Sequence, residues 1–164
     1  MPRHRFILAL LVVPVLSSLS GVASGDPAKG TVVYQGKTAE LTHVYLVKGP
    51  DAVDTATTIR ELVFSSTDLG PKLQACKSMR CVSGEVTEGM TVDLDAGPRL
   101  NYWVVLNGQR VQYSGTAKPA MLQTTADEAT RLAGTLRIDD TDAGGPKVEV
   151  QFDTKLLKEF QSAR

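Results

Sequence analysis

The chain has 164 residues, with 18 Lys plus Arg against 18 Asp plus Glu. That is the size of one domain with a single core behind a short leader. It has no run of basic residues, so the clustered cations that nucleic acid or an anionic membrane surface requires are missing.

The first stretch reads as an address. Arg3, His4 and Arg5 form a basic start, Phe6 to Leu16 is apolar apart from Pro14, and Ser17 to Gly25 is mostly small. This is the layout of a secretory signal peptide over residues 1–25, with cleavage after Ser24 or Gly25. The apolar run falls short of the about 20 residues a membrane span needs, so no stable membrane insertion is expected after cleavage. The layout resembles that of many small exported bacterial proteins, which places the expected protein in the periplasm or outside the cell. The remaining 26–164 reads as a single domain.

Gly30–Tyr34 reads as a first strand and Gln35-Gly36-Lys37 as a turn. Thr38–Lys48 is a long second strand whose far end alternates poorly, as expected for a strand covered on both faces. Ile59–Ser65 is a third strand, with Glu61 and Val63 on one side and Leu62 and Phe64 on the other. Ser66 or Thr67 is placed to cap one helical turn towards Ala75. Cys81–Thr87 reads as a short strand. Met90, Val92 and Leu94 point inward from the next strand, leaving Thr91, Asp93 and Asp95 outward.

Leu100–Tyr113 carries the strongest hairpin signal, Asn107-Gly108 between two strand-forming runs. A two-residue turn there pairs Leu106 with Gln109, Val104 with Val111 and Tyr102 with Tyr113. The opposite face then pairs Val105 with Arg110 and Trp103 with Gln112. Lys118–Gln123 reads as an edge strand because of Pro119. Thr125–Glu128 has a capping-box pattern, but strand alternation over Thr130–Ile138 competes with it. Lys147–Asp153 alternates cleanly, with Val148, Val150 and Phe152 inward; Lys155–Phe160 reads as a short helix or frayed end.

Seven to nine short strands without long helices predict an all-β fold. The expected form is a single-domain antiparallel β-sandwich, Ig-like or a partly closed barrel, with at most short helical turns.

Cys76 and Cys81 are the only cysteines, and after export they are expected to form a disulfide closing a very short loop. Four residues lie between them, with no helix expected to follow, unlike a thioredoxin-type redox pair. His43 is the only histidine beyond the leader, and a packed, hydrogen-bonded role fits it better than a catalytic one. One His and an oxidised Cys pair leave too few donors for zinc or copper, and no cofactor is expected. Asp140 and Asp142, in a loop of Asp and Gly, are weak calcium candidates; the same residues make ordinary turns. Asp93 and Asp95 lie about 7 Å apart on one outward face and read as solvated carboxylates. No phosphate-binding loop, nucleophile elbow or zinc-protease motif is present.

Trp103 remains, beside Arg110 and Gln112 in the expected register. An aromatic next to Arg and amides is a candidate surface for a protein or a polymer. The expected function is therefore a non-catalytic binding or accessory domain contacting a protein or an envelope or extracellular polymer. The alternatives are a hydrolase using carboxylates or His43, and a calcium-stabilised extracellular module.

Overall fold

A computed structural model describes residues 24–108 and 111–164. The leader before Ser24, and Gln109 and Arg110, lie outside the described residues.

Nine strands are described: β1 (Asp26–Tyr34), β2 (Lys37–Pro50), β3 (Thr58–Ser65), β4 (Gly89–Leu94), β5 (Leu100–Val105), β6 (Tyr113–Ala117), β7 (Leu122–Glu128), β8 (Arg131–Asp139) and β9 (Lys147–Glu159). Two short helices, α1 (Gly70–Ala75) and α2 (Met79–Glu85), lie between β3 and β4. The strands form one sheet in the order β6-β5-β4-β3-β2-β1-β9-β8-β7. Neighbours are antiparallel, and the end of β2 also pairs in parallel with the end of β9, Leu46 with Leu156.

The all-β expectation holds, but the strands make a single curled half-barrel sheet rather than two facing sheets. The connections explain this. Strands joined by short turns become neighbours, which builds a meander that its own right-handed twist curls over. The step from β6 to β7 is the one consecutive pair that no ladder joins among the described residues. It leaves a seam bridged by a 3-10 turn at Pro119–Met121.

Core lies on both sides of the sheet. The concave side holds Leu62, Phe64, Met90, Val92, Tyr102, Leu136, Val148 and Val150 in one buried cluster. The convex side holds Tyr45, Val47, Val63 and Val105 beneath Leu73 of α1 and Met79 and Val82 of α2. The far end of β2 is thus covered on both faces, as its pattern suggested. Leu41 and Val44, three apart, both belong to the concave cluster. β2 therefore shifts phase once, next to the irregularity between Pro27 and Gly30 in its ladder with β1.

Four local expectations are corrected. Cys81–Thr87 is not a strand; α2 occupies Met79–Glu85, with Ser78 as its N-cap accepting from the Cys81 N–H at 3.4 Å. Met79, Val82 and Val86 repeat at helical spacing and are all buried. The capping box at Thr125–Glu128 starts no helix: those residues belong to β7, where Ala126 pairs with Ala133. Lys155–Phe160 is neither helix nor frayed, since β9 runs to Glu159 and is held by β2.

The fourth correction is the register of the β5–β6 hairpin. Val104 pairs with Tyr113, Trp103 with Ser114 and Tyr102 with Gly115, two residues beyond the expected register. Gly115 sets this. A Cβ there would stand 2.7 Å from the Tyr102 hydroxyl, so only glycine fits opposite that ring. Gly108 has the positive φ of +72° its sequence implied, but its N–H donates to the Thr87 carbonyl at 2.7 Å. Tertiary contact thus replaces the tight turn with a longer loop. Val111, expected in the core, falls in that loop and is 52 % exposed.

Candidate functional site

The site grows from strand register on the convex side. Glu61 of β3 pairs with Asp93 of β4, and Thr91 of β4 pairs with Trp103 of β5. Side chains two apart share a face, so Glu61 lies beside Val63, Asp93 beside Thr91, and Trp103 beside Val105. Helix α2 covers Val63 and Val105 and meets the acidic end of this face only at its edge, where Ser83 reaches Glu61. What remains open is a cavity of about 300 Å³. Glu61, Asp93 and Thr91 line it from the sheet, and Trp103 from β5; Met79, Arg80 and Ser83 line it from α2. Pro50 and Ile59 close the β2–β3 end, and Arg164 stands at the rim.

Two devices fix the walls. The N–H groups of Met79 and Arg80 donate to the carbonyls of Ser162 and Ala163, at 3.1 and 3.0 Å. The C-terminal segment thereby holds the start of α2. The loop after β2 is held by its own aspartates: Asp51 accepts from the Val53 N–H at 2.8 Å, and Asp54 from the Thr57 hydroxyl at 2.7 Å.

Glu61 is only 4 % exposed. The Ser83 hydroxyl donates to it at 3.3 Å. Burial, and then the neighbouring charge of Asp93, push its carboxyl well above the ordinary range. Asp93 is also raised, by burial and then by the charge of Asp51. A hydrogen bond between the two carboxyls raises Glu61 further and holds Asp93 down.

This corrects the reading of Asp93 and Asp95 as a solvated pair. Asp93 lies under the pocket wall, while Asp95, at φ +64°, turns away to a two-point ion pair with Arg60, at 2.7 and 3.1 Å. Glu61 was not singled out from the sequence. The available signal was a carboxylate on the same strand face as Val63, in a segment apolar on both sides.

Trp103 apart, the other expected residues that are described do not line the pocket. Trp103 is half-buried and lines it, but Ser114 rather than Gln112 stands opposite. Gln112 donates its N–H to the Val104 carbonyl at 2.7 Å in the loop, and Arg110 is outside the described residues. His43 is half-buried with Nδ1 2.9 Å from the Thr42 hydroxyl, and it does not line the pocket. Asp140 accepts from the Tyr102 hydroxyl, which ties the Asp-Gly loop to the hairpin. Asp142 is exposed on a 3-10 turn.

Cys76 and Cys81 form a disulfide with Cα atoms 5.5 Å apart. Cys81 lies within α2, against the expectation that no helix follows. Among the described residues, the grouping with three donors within metal-binding reach is Cys76, Cys81 and Glu85, and its sulfurs are spent in the disulfide. The bridge joins the end of α1 to α2, the helix that walls the pocket. Replacing both cysteines with serine should lower the unfolding free energy by about 2 kcal/mol, by loop-closure entropy for so short a loop. Urea denaturation of the oxidised wild type and the double variant checks this; an unchanged midpoint would show that α2 needs no clip.

No family model, no curated protein and no solved structure matches this chain. Among the described residues, no helix is long and apolar enough to cross a membrane.

Proposed function

We propose that the protein is exported, to the periplasm or beyond the cell, and acts as a non-catalytic binding domain. It contacts a protein or an envelope or extracellular polymer through the Trp103 pocket. One observation carries this reading: a half-buried indole forms the wall of a cavity on which Glu61, Asp93 and Thr91 converge. A concave, partly apolar site with a few convergent polar groups is the common form of a ligand pocket. The leader layout and the disulfide support export.

Trp103 is the only tryptophan in the chain, so its emission reports on the pocket alone. Titrating the domain with small amines, sugars and soluble envelope fragments should give a saturable emission change with at least one class. Silence across the whole panel would remove the binding reading.

The raised carboxyl pair favours a second reading, a hydrolase using Glu61 and Asp93 for acid–base work. Turnover on a broad hydrolase panel, abolished by Glu61→Gln, would reverse the ranking.

A further inference from the structure

We infer that the Trp103 pocket takes a primary ammonium group on an apolar stem, the chemistry of a lysine side chain or a small alkyl amine. This deepens the binding reading above and rests on it.

Charge is sorted by depth. The floor holds Glu61, 4 % exposed, and half-buried Asp93, with Asp51 acting on Asp93 from the adjoining loop. The basic groups, Arg80 and Arg164, are both exposed at the mouth. A cation that reaches the floor meets oxygen groups: the Glu61 and Asp93 carboxyls, the Thr91 hydroxyl, itself 5 % exposed, and the Ser83 hydroxyl, which already donates to Glu61. An ammonium carries three donors on one compact centre and fits three such oxygens. The Trp103 indole also lines the cavity, and an aromatic ring beside a cation favours it further. Ile59, Met79 and Pro50 supply apolar surface for a methylene stem. The cavity, about 300 Å³, has room for a short alkyl amine.

Burial also explains why the site favours a counter-ion. Two carboxyls on adjacent strands cannot both ionise there without one, so they share a proton. An arriving ammonium supplies the missing positive charge, and the shared proton leaves to solvent. Affinity therefore rises with pH across the range in which the pair holds its proton. Asp51 and the rim arginines Arg80 and Arg164 are the other charged groups facing the site.

The test uses Trp103 emission of the domain with four probes at pH 5.5 and pH 8. They are 1,5-diaminopentane, Nα-acetyl-lysine methylamide, 1,5-pentanediol and N-acetylglucosamine. The amines should bind saturably and about tenfold more tightly at pH 8, and the diol should be silent. Asp93→Asn should weaken amine binding by about tenfold or more, with thermal unfolding showing that the variant is folded. Response to the diamine alone points to a free amine as ligand; response to the lysine derivative points to a lysine on a partner. Binding of the sugar or diol without the amines overturns the ammonium assignment and leaves the binding reading in place. Amine binding unchanged in Asp93→Asn also overturns the assignment. Silence with every probe overturns both.

Discussion

Phe64→Ala is expected to lower the unfolding free energy by about 3–5 kcal/mol, as loss of a buried aromatic ring with its cavity usually does. Phe64 is fully buried, and its ring meets Phe152 edge-on with centroids 5.4 Å apart. The partner matters more than the burial. β3 and β9 are three strand spacings apart in the sheet, about 14 Å if it were flat. The rings touch because the sheet curls until its inner face folds onto itself. A double-mutant cycle with Phe152→Ala should show a coupling of about 0.5–1.5 kcal/mol beyond the single effects. Strictly additive losses in urea denaturation would mean that the sheet is more open than described.

The second large effect is a stability that falls as pH rises. Glu61 and Asp93 both have folded-state pKa values above those of the unfolded chain. Such groups bind protons more tightly when folded. Their contribution is most favourable below the unfolded values, about 3.9 for Asp and 4.3 for Glu, and is lost as pH climbs through the raised folded values. Melting temperature should therefore decline between about pH 5 and pH 8. Asp68 acts in the opposite sense at lower pH. The Tyr45 hydroxyl and the Gly70 N–H hold its carboxyl down to about 2, so its contribution, present above the unfolded value of about 3.9, is lost as pH falls from there through about 2. Glu61→Gln keeps the size of the side chain and a donor towards Asp93 but removes the titration. It should flatten the decline and stabilise the domain at pH 8 by on the order of 1–3 kcal/mol. The same slope in wild type and variant would place the titration elsewhere.

Much of the frame was readable from alternation. Met90, Val92 and Leu94, and Val148, Val150 and Phe152, face the core as their period-two pattern requires. The hairpin around Asn107-Gly108 was legible, but its register was not. That depends on Tyr102 filling the space opposite Gly115, a contact between strands. Helix α2 escaped because seven residues show too few turns for a helical period to stand out. The pocket was half legible. Trp103 stood out as an aromatic beside a buried face. Its true neighbours come from strand pairing, which sets Glu61 against Asp93 and Thr91 against Trp103. No local pattern encodes those pairings.

The position of β1 carries a consequence for how the chain reaches this state. β1 lies between β2 and β9, so Gly30 bonds against Leu41 on one side and Val150 on the other. The first strand made thus waits for the last before its second edge is satisfied. Ladders between segments so far apart carry a high entropic cost of closure and slow the search. A chain truncated before Lys147 loses the strand that joins β1 to β8, which leaves the β7–β8 pair without a described ladder to the rest of the sheet. Assembly therefore closes from its two ends, and the complete sheet forms only once the whole domain is free to fold together.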